Sequence, residues 1–162
     1  MPSTPSRFER TRCFRLGWVF ERIGWLAMAV VLIAAAAGLF GNGWLSEREV
    51  SAGGGALTAR YPRFCRAHAP LELTVEWLPR QEQTALWISR PYLDGFEIAE
   101  IRPTPSGMAV DGDRMHYTFR TAKPHAPVSV TFMLKPKRGG SSIGRVGLED
   151  ELDVEIRHFV FP

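Results

Sequence analysis

Two hydrophobic patterns divide this chain. From Ile23 to Ser46 the sequence IGWLAMAVVLIAAAAGLFGNGWLS holds no charged residue. A helix rising about 1.5 Å per residue needs roughly 20 such residues to cross a hydrocarbon core about 30 Å thick, so the run predicts a transmembrane helix over 23–45. Trp25 and Trp44 would then lie roughly 29 Å apart, as interface anchors at the two headgroup levels. Beyond residue 57 the period changes to two. Leu71, Leu73, Val75 and Trp77 alternate with Glu72, Thr74 and Glu76, and Met115, Tyr117 and Phe119 with His116 and Thr118. Val128, Val130, Phe132 and Leu134 form a third such row, and Leu152, Val154 and Ile156 a fourth. Alternation of this kind predicts strands with one face in a core and one in water.

Shorter apolar runs at 57–59, 85–89, 96–101, 108–110 and 143–148 fill the intervals, separated by turn sequences such as Asp94-Gly95, Asp111-Gly112-Asp113 and Gly139-Gly140. Seven to nine short strands predict an antiparallel immunoglobulin-like β-sandwich over 57–162. Residues 46–56, with Gly53-Gly54-Gly55, read as a flexible tether, and residues 1–22 as a separate arm.

Charge orients the scheme. The arm carries Arg7, Arg10, Arg12, Arg15 and Arg22 against Glu9 and Glu21, which accounts for the whole net charge of +3. The positive-inside rule therefore puts the arm in the cytoplasm, within reach of anionic lipid, and the β domain on the far side. A neutral folded part argues against nucleic-acid binding, which needs basic excess on the domain itself. Arginine outnumbers lysine 17 to 3, a bias of GC-rich bacterial genomes; the far side is then the periplasm and the membrane the bacterial inner membrane. A cleaved signal peptide ending near Ala35-Ala36-Ala37 is the alternative. The apolar run continues past that point, which favours an uncleaved anchor. Cys13 and Cys65 would stand on opposite sides of the bilayer, unable to pair within one chain.

Chemistry is sparse. Cys65 and His68 have a spacing that suits a metal half-site only in a turn, and no compact Cys, His and Met set follows them. The acidic run from Glu149 lacks the spaced pattern of a calcium loop. No G-x-S-x-G elbow, P-loop or H-E-x-x-H motif occurs. We therefore expect no enzyme, no cofactor and no metal. Contact surfaces are better represented. Ala34, Ala37, Gly38 and Gly41 follow small-xxx-small spacing, a candidate helix-packing face. Arg60, Tyr61, Arg63, Phe64 and Arg66 surround Pro62 in a segment suited to an edge strand, and Arg and aromatic residues favour interfaces. Phe159, Val160 and Phe161 are apolar without a break, which predicts a tail covered on both faces, most simply inside the sandwich. Phe159 and Phe161 join the candidate interaction surface.

The layout resembles a group of small bacterial single-pass membrane proteins with a periplasmic β domain. The resemblance rests on Gly38-Leu39-Phe40-Gly41, Tyr61-Pro62-Arg63-Phe64, Gly144-Arg145-Val146-Gly147-Leu148 and the closing Phe159-Val160-Phe161-Pro162. Such proteins are encoded beside YetF-type membrane proteins, so the resemblance implies a membrane-protein partner; it carries over no activity and no catalytic residue. Two functions are compatible with the residues. One is a membrane-anchored accessory protein that binds another membrane protein; the other is a periplasmic binding module for a small ligand, metal or envelope polymer.

Overall fold

The computed structural model describes residues 7–36, 46–121, 126–149 and 152–162. The alternating rows become strands, and their apolar positions meet between two sheets. One sheet has the order β1-β2-β4-β9-β6: β1 is Glu47–Ala52, β2 Leu57–Pro62, β4 Leu71–Trp77, β9 Val128–Pro136 and β6 Phe96–Arg102. The other has the order β3-β11-β10-β5-β8-β7: β3 is Phe64–Arg66, β11 Asp153–Phe161, β10 Gly140–Leu148, β5 Gln83–Ser89, β8 Arg114–Arg120 and β7 Gly107–Asp111. The fold is a mainly β sandwich.

Burial follows the sequence period closely. Leu71, Leu73, Val75 and Trp77 on β4 face Val130, Phe132 and Leu134 on β9 across the register Leu73↔Phe132, and all are buried. Tyr117 and Phe119 of β8 close the same core, with the Tyr117 ring edge-on to Phe132 at 5.3 Å. Each such side chain contributes about 1.5–3 kcal/mol by leaving water. A five-residue helix, α2 (Arg90–Asp94), carries the chain from β5 to β6 and buries Tyr92 and Leu93. Gly144 on β10 makes room for it: a Cβ there would fall 2.4 Å from Cγ of Tyr92.

Several expectations are corrected. Among the described residues eleven strands form where seven to nine were expected, because Glu47–Ala52 and the three-residue β3 also pair at sheet edges. The sandwich is not wholly antiparallel, since β3 runs parallel to β11. The expected tether is part of the domain. Glu47–Ala52 pair with β2 from Glu47↔Pro62 to Ala52↔Leu57, and Gly53–Gly55 form a 3-10 turn with positive φ at all three glycines. The glycines there shape a connection between paired strands, a conformation that other residues adopt at a cost.

A helix, α1, spans Arg7–Ala36, so it begins inside the basic arm and takes in the first part of the apolar run. Among the described residues no helix is long and apolar enough to cross a membrane. Residues 37–45, the rest of the expected span, lie outside the described residues, as do Ala37, Gly38, Gly41 and Trp44. Ala34 falls in the last turn of α1. Along the described side chains α1 is bare, and beyond the charged Glu21 and Arg22 it is apolar: Ile23, Trp25, Leu26, Val31 and Ile33 are all exposed, as are Trp18 and Phe20 before them.

Candidate interaction surface

The two contact segments read from the sequence are brought together by the β3–β11 pair. Its register sets Phe159 beside Phe64, Val160 beside Cys65 and Phe161 beside Arg66. Alternation sends Cys65 and Val160 into the core, and Phe64, Phe159 and Phe161 to the outer face of the second sheet. The Phe64 and Phe161 rings lie 6.1 Å apart, and Phe159 meets Phe161 edge-on at 5.0 Å. Phe159 is 47% exposed, and Ile143 of β10, diagonal to it, is 56% exposed. Exposed Arg63 sits with its guanidinium carbon 5.7 Å from the Phe64 ring centre, and Arg66 is exposed at the other end of β3. An aromatic patch thus lies between two arginines.

The aromatic tail is therefore not wholly core. Only Val160 packs inside, at 2% exposure. An unbroken apolar run here means one face in the core and an outer face that also carries rings. Tyr61 and Arg60 leave the candidate surface for different reasons. Tyr61 is a core residue whose hydroxyl accepts from the Arg157 amide at 3.2 Å. Arg60 lies on the other sheet, where it bonds Glu49 at 2.9 Å and approaches Glu76 at 3.6 Å; the Glu49 bond raises its pKa further.

What fixes β3 in place was missed from sequence. Ser46 is fully buried; its Oγ donates to the Phe64 carbonyl at 3.2 Å, and its own carbonyl accepts from the Arg63 amide at 2.6 Å. His158 occupies the next inward position after Val154 and Ile156, and the unbroken alternation along β11 was the available signal. Its Nδ1 lies 2.7 Å from the Pro62 carbonyl and its Nε2 2.9 Å from the Tyr92 hydroxyl. A carbonyl can only accept, so Nδ1 carries the proton and Tyr92 donates to Nε2. Burial lowers the His158 pKa to about 4, against the opposing effect of the Pro62 bond, so the ring is neutral at neutral pH. Burial also pushes the Cys65 thiol up to about 11 and the Tyr92 hydroxyl well above its usual value. The cluster beneath the patch is uncharged and satisfied, and it joins β2, α2 and β11.

No metal site is assembled among the described residues. Cys65 points into the core, while His68 is exposed in the following turn at φ 63°. Both His158 nitrogens are engaged, and His125 lies outside the described residues. An open groove of about 450 Å³ runs over the first sheet, where Arg60, Glu72, Thr74 and Met133 are among its lining residues.

No family model matches the chain, and no curated protein matches it. Among solved structures it is similar to a non-cellulosomal cohesin from the archaeon Archaeoglobus fulgidus, at 10% identity and a TM-score of 0.40, covering 61% of this chain and 86% of that one. It is also similar to the human F-spondin reeler domain, at 12% identity and a TM-score of 0.37, with 65% and 92% covered. A further likeness is to the cupredoxin domain of amoB from Nitrosocaldus yellowstonii, at 9% identity and a TM-score of 0.32, covering 67% of this chain and 57% of that one.

Proposed function

We propose that this chain is a non-catalytic, membrane-anchored interaction protein of the bacterial inner membrane. Its arm lies in the cytoplasm and its immunoglobulin-like sandwich in the periplasm, where the sandwich docks on another membrane protein through Phe64, Phe159 and Phe161. The observation that carries the docking is the register of β3 on β11, which gathers three outward phenylalanines between Arg63 and Arg66. Aromatic residues and arginine are the side chains that anchor interfaces most strongly. The anchor is supported by the charge-free run 23–46 and by the bare apolar surface of α1 over residues 23–33, since a helical stretch apolar all round needs either a core or lipid around it. Isolation of the full chain in mild detergent tests the reading. A stoichiometric membrane-protein partner is expected; recovery of the chain alone contradicts it.

The groove over the first sheet supports a second reading, a binding module for a small ligand or envelope polymer. That reading predicts no stoichiometric partner and a melting temperature that rises when ligand is added.

A further inference from the structure

We infer that β7 is the strand through which two copies of this chain pair. A sandwich of two open sheets has four edges, and unpaired edge strands invite pairing with another chain unless they are blunted by charge, bulges or shortness. Three edges here are blunted. At β1 the sequence begins Glu47-Arg48-Glu49, three exposed charged residues in a row. Between Ile98 and Glu100, β6 carries a register shift, and Glu100 and Arg102 hold each other in an ion pair on that strand. The third edge, β3, has only three residues, and Ser46 already bonds both the amide and the carbonyl of Phe64.

At β7 the one charged residue, Asp111, stands at the strand's end, and no register shift interrupts the pairing. Its centre, Met108-Ala109-Val110, has no charge, no proline and an unbroken register against β8. The register Met108↔Tyr117 and Val110↔Met115 places both side chains on the face that Tyr117 and Met115 turn to the core. Yet Met108 is 68% exposed and Val110 55% exposed. Among the described residues the core-facing side of the second sheet therefore continues past the covered core as a bare apolar row, beside a backbone edge that no described strand pairs.

The strand is complementary to itself. Antiparallel pairing about a twofold axis at Ala109 sets Met108 opposite Val110 of the second copy, and Val110 opposite its Met108. Ala109 faces Ala109, and Asp111 faces Gly107, so no like charges oppose one another. A single pairing then satisfies both backbones and covers both apolar rows, and the two six-stranded sheets become one continuous sheet. Isologous contacts of this kind are the commonest route to closed dimers.

The test uses the full chain in mild detergent. Protein mass from light scattering should be twice that of the protomer and fall on dilution, and the amides of 107–111 that point away from β8 should lose hydrogen-exchange protection over the same dilution range. Val110→Lys and Met108→Lys, both at exposed positions, should each give the protomer mass with the β circular-dichroism spectrum retained. A protomer mass at every concentration overturns the inference. So does a dimer whose mass both variants leave unchanged, which places the contact elsewhere, including the small-residue face of the helix. Protection of those outward amides that does not change while the mass falls overturns it too, independently of the variants.

Discussion

The Tyr92 hydroxyl donates to Nε2 of His158 at 2.9 Å, in a part of the core where both side chains are almost wholly shielded from water. The bond requires a neutral imidazole, and burial lowers its pKa from the ordinary 6.5 to about 4. Between those values the unfolded chain binds the proton and the folded one does not, so stability rises with pH. The contribution is complete above about pH 6.5 and is lost as pH falls toward 4, a difference of about 3 kcal/mol. Urea unfolding at a series of pH values should show this slope, and His158→Gln should flatten it over that window.

The Tyr92 ring reaches His158 because Gly144 lies beneath it. Adding the Cβ of alanine would place a carbon 2.4 Å from Tyr92 Cγ. The ring must move, which strains the core by about 1–3 kcal/mol and weakens a bond whose net contribution is about 1 kcal/mol. Gly144→Ala should therefore lower the urea midpoint, whereas Ser141→Ala, at an exposed position on the same strand, should leave it unchanged.

Adjacent residues of the tail should behave in different ways. Val160 is core, so Val160→Ala should cost about 2 kcal/mol. Phe159 is 47% exposed on the outer face, so Phe159→Ser should cost about 1 kcal/mol, less than the core change. Thermal melts of the two variants check this, and equal losses would mean that Phe159 is as well packed as Val160.

Topology has its own test. Alkaline phosphatase fused after Pro162 should be active in cells, and a reporter that works only in the cytoplasm should be silent there. The reverse pattern contradicts an exported domain.

Most of the sandwich was legible because four rows of strictly alternating residues leave a strand no choice of face. Around the patch, legibility ended where local pattern gave way to pairing partners. Nothing in Phe64-Cys65-Arg66 reveals that this strand lies parallel to the last one, so the meeting of Phe64 with Phe159 could not be read from either segment. Phe159-Val160-Phe161 looked doubly buried because apolarity reports what a residue tolerates, whereas its exposure depends on what lies above it. Glu47–Ala52 looked like part of a tether because Gly53-Gly54-Gly55 follows it, yet its three charged residues suit an exposed edge strand. His158 was hidden by its type: a histidine at an inward position reads as polar until its two hydrogen-bond partners are known.

The docking face itself is tested most directly by removing its rings without touching the core. Wild-type chain and the double variant Phe159→Ser/Phe161→Ser should be isolated in mild detergent side by side, with melting temperatures measured on both. Wild type is expected to retain a stoichiometric membrane protein that the double variant loses while still folded at the temperature of the isolation. A partner retained in full by the folded double variant would contradict the assignment of the Phe64, Phe159 and Phe161 face as the docking surface.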